Sequence, residues 1–417
     1  METSHNGQPR VVVTGMGAIT PLGTLDSFWV ALKAGESGIR EITKFDPGDI
    51  EVKIAGEIDF EPRAHLNPKA ARRMSSASQF ALVAAQMAVE DAGLRKEDMT
   101  QEGDRVGVII GTVIAGFAML VDTAYNFTFH GRKPFPTALI NGLPNMPGYY
   151  ISLEMGATGP LTTISTACAS GTQAIGVGLD LIRSGKVDMV IAGGVDCLIR
   201  KEVLAAFDAM TVVARNNQAA PEKASRPFDA KREGFVLSEG AGVMILESLD
   251  HAQAREGHIY AEVLGYAASS DATHIAAPDE DGLGAQKAMR WALQDAKIIP
   301  DQVDYINAHG TGTKLNDLME TKAIKKVFGQ RANEIPISST KSMIGHSMGA
   351  SGALEAIACL MTIKDDVLHP TINYETPDPD CDLDYVPNTS RQATIQIALS
   401  NSFGLGGQNA CLVLSAI

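Results

Sequence analysis

Three segments of this 417-residue chain carry side chains that could do covalent chemistry. In the first, Ser165-Thr166-Ala167-Cys168-Ala169-Ser170-Gly171, a cysteine stands where the apolar, β-branched run from Leu161 to Ile164 ends and a small-residue helix begins. Such a strand-to-helix turn points the unpaired N–H groups and partial positive charge of the helix N-terminus at whatever fills the turn. A thiol there ionises more readily, and the thiolate is the nucleophile. No carboxylate adjoins Cys168 in the sequence, so an enlarged thiolate fraction is expected. The same placement also suits an inert cysteine that only fills core. The second segment, Val303 to His309, reads as a short buried strand entering Gly310-Thr311-Gly312-Thr313. The third, Ile335 to Thr340, enters Lys341-Ser342-Met343-Ile344-Gly345-His346. Each sets a histidine in a Gly- and Ser/Thr-rich loop beyond a strand's C-terminal end, where open α/β sheets collect ligands. One loop histidine is usually just solvated; a Cys and two His in three equivalent strand-end loops point to a shared site.

The elements that must position these loops read as alternating strands and helices. Candidate strands run over 10–14, 105–110, 161–164, 187–192, 241–247, 259–267, 303–308, 335–338, 395–400 and 410–415. Helical patterns span 76–92, 171–184, 283–296 and 349–364, and the last two repeat apolar residues at steps of three and four. Such alternation implies parallel strands joined by helical crossovers. Residues 162–167 and 335–340 echo one another, each a strand feeding a Gly/Ala-rich helix. Duplication explains the echo, and so does the common look of buried strand-to-helix turns. The stretch 111–160 has few strand signals and several Pro-centred breaks, and is expected to cap the fold and supply a dimer surface.

Further motifs surround these loops. They are Val11-Val12-Val13-Thr14-Gly15-Met16-Gly17, Ala224-Ser225-Arg226-Pro227-Phe228-Asp229, Gly234-Phe235-Val236-Leu237-Ser238-Glu239-Gly240 and Asn401-Ser402-Phe403-Gly404-Leu405-Gly406-Gly407-Gln408-Asn409. In this order and spacing, nearly the whole chain resembles the β-ketoacyl-[acyl-carrier-protein] synthases, most closely their elongating bacterial type II form. The resemblance implies an α/β, thiolase-like fold of five layers, αβαβα, built from two similar halves. Residues 1–255 would carry Cys168 and the cap/dimer insertion, and residues 256–417 both histidines. The implied reaction is a decarboxylative condensation: an acyl group held on Cys168 joins malonyl-[acyl-carrier-protein] to give a 3-oxoacyl product, in fatty-acid or polyketide elongation.

The resemblance also implies roles for single residues. His309 and His346 would hydrogen-bond the enolate, and the N–H groups of Cys168 and Phe403 would form the oxyanion hole, with the loop from Gly404 allowing close approach. Thr311 and Thr313 would hold the amides of the pantetheine arm, or cap their own loop. Ile114 would gate the acyl pocket, and Phe403 would swing between loading and condensing states. Lys341 is read as the ion-pair partner of Glu355 in preference to a proton-transfer group, because unpaired buried charge is costly. Asp317 and Glu320 would support the loop after His309. Lys69, Arg72 and Arg73 match a basic cluster for docking acyl carrier protein, with Arg215 standing in for an arginine the family places where this chain has Thr211. No metal and no cofactor is implied beyond the carrier's phosphopantetheine. The family forms homodimers, and a related ketosynthase-like subunit is the other partner considered.

Departures from the family pattern fall at Ser75-Ser76-Ala77, where Asp-Arg-Phe is usual, at Thr211, and at Leu405 and Gln408. They leave the Cys-His-His set intact and bear on carrier specificity and acyl-pocket shape. A thiolase would need a second catalytic cysteine in the C-terminal loop, and a CoA-primed initiating synthase an asparagine where His346 stands. A non-catalytic chain-length or scaffold subunit would lack the nucleophile. Net charge of −14 argues against nucleic acid or anionic membrane as partners. Cys197, Cys359, Cys381 and Cys411 lack the turn and read as core or surface thiols; five cysteines without paired spacing suit a reducing, cytoplasmic setting. Residues 1–10 lack a signal peptide's apolar region, and no apolar run reaches membrane-spanning length.

Overall fold

Strands apolar on both faces must lie between two layers of helix. The computed structural model describes Ser4, His5 and residues 7–417. In its first half, β1 (Val11–Thr20), β2 (Val106–Gly111), β3 (Leu161–Ile164), β4 (Met189–Asp196) and β5 (Gly240–Ser248) line up as β3-β2-β4-β5-β1. In the second, β6 (Ala261–Ser270), β7 (Tyr305–Asn307), β8 (Ile337–Ser338), β9 (Ile397–Gly404) and β10 (Gln408–Ser415) line up as β8-β7-β9-β10-β6. The halves join where β1 meets β6 through Val13–Ala261 and Val12–Glu262.

Both halves repeat one pairing pattern, parallel among the outer three strands and antiparallel among the inner three. The expectation of parallel strands throughout is therefore corrected. Between β9 and β10 only Leu405 to Gly407 intervene, and Gly406 and Gly407 take positive φ angles of 83° and 73°. So short a loop can join only antiparallel neighbours. The echoing segments at 162–167 and 335–340 overlap β3 and β8, which occupy equivalent outer edges.

Six helices matter for the site: α1 (Ser76–Asp91), α2 (Phe117–His130), α3 (Ser170–Arg183), α4 (Leu283–Ala296), α5 (Lys314–Phe328) and α6 (Ser351–Asp365). Strand side chains alternate between layers. In β4, Met189 and Ile191 join the cluster of α1, while Val190 and Ala192 join that of α3 and α6. On the far side, Ile306, Leu399 and Val413 pack with Met289 and Ala292 of α4. The order is thus helix, sheet, paired helices, sheet, helix. The central pair needs small residues where it crosses: a Cβ on Gly171 would lie 2.9 Å from the Ala353 nitrogen, and one on Gly352 2.0 Å from Thr172 Oγ1. That crossing brings the N-terminal ends of α3 and α6, and the turns before them, side by side.

Residues 111–160 form no strand beyond Gly111 and carry three helices, α2, Ala138–Asn141 and Met146–Met155. No residue of α2 is buried, and Tyr125, Phe127, Phe129, Leu139 and Leu153 are exposed. Ser75, at one departure from the family pattern, caps α1 by accepting the Ser78 N–H at 3.2 Å. Among the described residues, no helix is long and apolar enough to cross a membrane.

Candidate active site

The turns at the ends of β3, β7 and β8 converge on a cavity of about 310 Å³. Its floor is Cys168, His309 and His346, all buried, and exposed Met210 and Leu315 stand at its rim. Cys168 sits between Ala167, held at φ 51°, and Ala169, which caps α3. Ser170 ties the bend together, its hydroxyl donating to the Ala167 carbonyl at 2.6 Å and accepting the Thr166 N–H at 2.9 Å. Burial pushes the Cys168 thiol up to about 11, the Glu355 carboxylate adds to the rise, and the Leu405 N–H and Lys341 only partly offset it. Desolvation of the sulfur outweighs these two groups.

His346 lies with Nε2 3.0 Å from the Cys168 sulfur. Its Nδ1 faces the Ser351 hydroxyl at 2.8 Å and accepts the Met348 N–H at 3.3 Å. His309 faces the Lys341 ammonium through Nδ1 at 3.3 Å. Both Nδ1 atoms therefore look at donors, which leaves the ring proton on Nε2. Burial first, then Lys341, holds both imidazoles well below their usual pKa, so they are neutral. The rings cross at 84° with centroids 5.5 Å apart, and Phe235 and Phe403 pack edge-on against His346 and His309. Two neutral Nε2–H donors beside one sulfur suit an oxyanion or enolate oxygen. The sulfur and the ring nitrogens lie within 4.8 Å of one another, the one cluster among the described residues close enough to chelate a metal. Each Nε2 would have to lose its proton to do so.

The support around these groups is ionic. Lys341 pairs with the Glu355 carboxylate and donates to the His309 carbonyl at 2.7 Å. Burial lifts Glu355 to about 7 against the pull of Lys341. Glu320 accepts the His309 and Gly310 N–H groups at 2.9 and 2.8 Å, and burial lifts it too to about 7. Asp317 accepts the N–H groups of Gly312 and Phe228 at 3.2 and 2.8 Å. Thr313 caps α5, and its hydroxyl lies 2.9 Å from that of Thr311; both threonines line the cavity.

Other expected residues fall differently. Phe403 lies inside β9, opposite Asn409. Phe403 and Gly404 both line the cavity, and Ile114 packs in the cluster that contains Cys168. Lys69, Arg72 and Arg73 are exposed and do not line this cavity. Arg72 instead borders a separate hollow with Arg63, Arg132 and Lys133. Arg215 is bound to Asp208 at 2.9 Å and Glu51 at 3.2 Å. Sequence reasoning missed Ser351 and the Met348 N–H; the serine five residues after His346 was the one readable sign.

Two family models match the chain, "Beta-ketoacyl synthase, N-terminal domain" over residues 8–252 and "Beta-ketoacyl synthase, C-terminal domain" over 260–375. The chain is 45% identical to a 3-oxoacyl-[acyl-carrier-protein] synthase 2 of Synechocystis sp. over 97% of both chains. It is similar to the ishigamide ketosynthase/chain length factor, with a TM-score of 0.91, 40% identity and coverage of 98% of this chain and 100% of that one. It is also similar to a type II polyketide ketosynthase solved in complex with its acyl-carrier protein, at TM-score 0.91 and 35% identity, covering 98% of this chain and 100% of that one.

Proposed function

The chain belongs to the β-ketoacyl synthase family, and we propose that Cys168, His309 and His346 perform its decarboxylative condensation in fatty-acid or polyketide elongation. The observation that carries this assignment is the 3.0 Å approach of His346 Nε2 to the Cys168 sulfur, with His309 beside it on the same cavity floor. Cys168 attacks an acyl thioester presented on the phosphopantetheine of an acyl carrier protein. The acyl–sulfur bond of the donor breaks, a new one forms to Cys168, and the thiol proton ends on the departing pantetheine sulfur. The tetrahedral oxyanion takes hydrogen bonds from the N–H groups of Cys168 and Phe403. Malonyl carrier protein then loses carbon dioxide, and the enolate oxygen is held by the two Nε2–H groups. The enolate carbon attacks the acyl carbon, Cys168 leaves as thiolate and takes a proton from water, and the 3-oxoacyl carrier protein departs. No step calls for a metal or a cofactor of the enzyme's own.

Lys341 and Glu355 position His309, Asp317 supports its loop, and Thr311 and Thr313 hold the pantetheine arm. Ile114 gates the acyl pocket. Residues 1–255 and 256–417 are the two duplicated units. Lys69, Arg72 and Arg73 dock the acidic carrier, joined by Arg63, Arg132 and Lys133 around the neighbouring hollow. The exposed aromatic face of α2, with Leu139 and Leu153, supports a homodimer in the cytoplasm. Incubation with an acyl carrier protein followed by peptide mass spectrometry tests the reading. Acylation of the Cys168 peptide and its loss in Cys168→Ala are expected, and an unmodified Cys168 with every acyl donor tried rejects it.

A further inference from the structure

Asp196, at the C-terminal end of β4, has no role in the steps above, yet its buried carboxylate touches the segments that carry them. Its Oδ2 accepts the N–H groups of Val113 and Gly349, each at 2.8 Å. Its Oδ1 accepts the Thr112 hydroxyl at 2.8 Å and, more weakly, the N–H groups of Ala115 at 3.3 Å and Ile114 at 3.4 Å. These partners are all neutral donors, and Asp196 forms no salt bridge among the described residues. Only an ionised carboxylate accepts everywhere; an asparagine would set its NH₂ against N–H groups.

The donors come from two sides of the site. Segment 112–115 carries Ile114 and is stitched to the Cys168 turn, with Thr112 N–H donating to the Ile164 carbonyl at 2.9 Å and the Ser165 hydroxyl to the Val113 carbonyl at 3.2 Å. Gly349 follows Met348, whose N–H faces His346 Nδ1. A Cβ on Gly349 would lie 2.5 Å from Asp196 Oδ2, so this approach requires glycine.

We propose that Asp196 is a positioning residue that holds the acyl-gating segment and the His346 turn in one register, so that the length of the acyl chain at Ile114 is felt at His346. The proposal rests on the assignment of Cys168 and His346 made above. It accounts for an aspartate without a counter-ion in a fully buried place: the strand end, the gate and the histidine turn all present donors to one point.

The test compares wild type, Asp196→Asn and Thr112→Val, each checked for folding by its thermal midpoint. Cys168 loading and condensation with a malonyl pantetheine thioester are measured separately for acetyl and decanoyl pantetheine thioesters. Asp196→Asn is expected to load acetyl within about threefold of wild type and to lose about tenfold or more in condensation, the scale of a displaced catalytic group. The loss with decanoyl should exceed that with acetyl by about threefold, and Thr112→Val should show the same ordering with smaller losses. A folded Asp196→Asn whose losses are equal for both chain lengths overturns the proposal, since general loosening has no such length dependence. If Asp196→Asn does not fold, an unchanged length profile in Thr112→Val overturns it. A wild-type protein that neither loads Cys168 nor condenses defeats the functional assignment instead.

Discussion

Replacing Lys341 by methionine separates two jobs its ammonium holds at once. The side chain is 1% exposed, pairs with Glu355, and presents donors to the His309 carbonyl and Nδ1. Removing one partner of a buried ion pair costs about 3–5 kcal/mol, because the other charge is left uncompensated. Glu355 already stands at about 7, with burial raising it and Lys341 holding it down. Without the ammonium it takes up a proton at neutral pH, which confines the loss to the lower end, about 3 kcal/mol. Glu355→Leu should destabilise similarly, whereas the double variant Lys341→Met/Glu355→Leu buries two apolar side chains and should lie within about 1 kcal/mol of wild type. Urea unfolding of the four proteins measures the cycle, and a coupling of at least about 2 kcal/mol is expected. Activity should behave otherwise. With no donor at Nδ1, the Nε2–H tautomer of His309 is no longer enforced, so kcat for condensation should fall by about 10²–10³ in Lys341→Met and stay low in the double variant. Additive destabilisation would refute the pairing. Recovery of kcat in the double variant would refute the tautomer argument, because only the balance of charge on Glu355 would then have mattered. The pH dependence supplies a further check. The folded value of Glu355, about 7, exceeds its ordinary 4.5. The folded state therefore binds more protons between the two, and this group's contribution falls as pH rises from 4.5 through about 7. That slope should vanish in Glu355→Leu.

Away from the site, His251 bonds to Glu247 and, at 2.8 Å, to Glu102, and the first of these contacts chiefly raises it from 6.5 to about 9. Its stabilisation is full below pH 6.5 and lost as pH rises through about 9; after allowance for solvent at the ring it amounts to about 1–2 kcal/mol. Thermal midpoints should fall between those limits in wild type and not in His251→Gln, and parallel curves would reject the linkage. Reversing Arg72 and Arg73 to Glu should raise KM for acyl carrier protein by about tenfold with kcat little changed. A short pantetheine thioester should be unaffected, and equal losses with both substrates would mean that the pair supports the fold.

Local signals were legible where one segment holds the whole cause. Cys168, His309 and His346 each follow a strand end into a loop of small residues, and the sequence marks all three. The end of β9 was read at residue 400, short of its true end, because the sequence does not say where the ladder stops. In the structure β9 continues through Gly404, so Phe403 remains paired with Asn409 and Leu405 is the first residue past the strand. The burial of the thiol was harder to read. A helix N-terminus is a local feature, whereas the burial that lifts Cys168 to about 11 is created by Phe235, Met348, Phe403 and other distant residues around the cavity. Asp196 was invisible for the same reason, since its donors come from positions 112–115 and 349. The antiparallel inner strands had one readable sign, Gly406-Gly407 between two apolar runs, and it was outweighed by the strand–helix alternation.

The repeated pairing pattern explains why the site is where it is. β3 and β8 hold equivalent outer edges, and each leads into a central helix; the first turn carries Cys168, the second Lys341 and His346. β2 and β7 are equivalent next neighbours, and the loops after them carry Ile114 and His309. β4 and β9 are equivalent again, ending at Asp196 in one half and running into Leu405 in the other. α3 and α6 cross at Gly171 and Gly352, and Cys168 of the first half meets His309, His346 and Leu405 of the second across a single cavity. Equivalent positions of the two halves thus carry different side chains: cysteine against lysine and histidine, Ile114 against His309, and Asp196 against Leu405. The two halves touch through this central helix pair. Substitution of Gly352 by alanine, remote from any substrate atom, should therefore disturb Cys168 and His346 together, because its Cβ would meet Thr172 Oγ1 at 2.0 Å on the nucleophile's own helix.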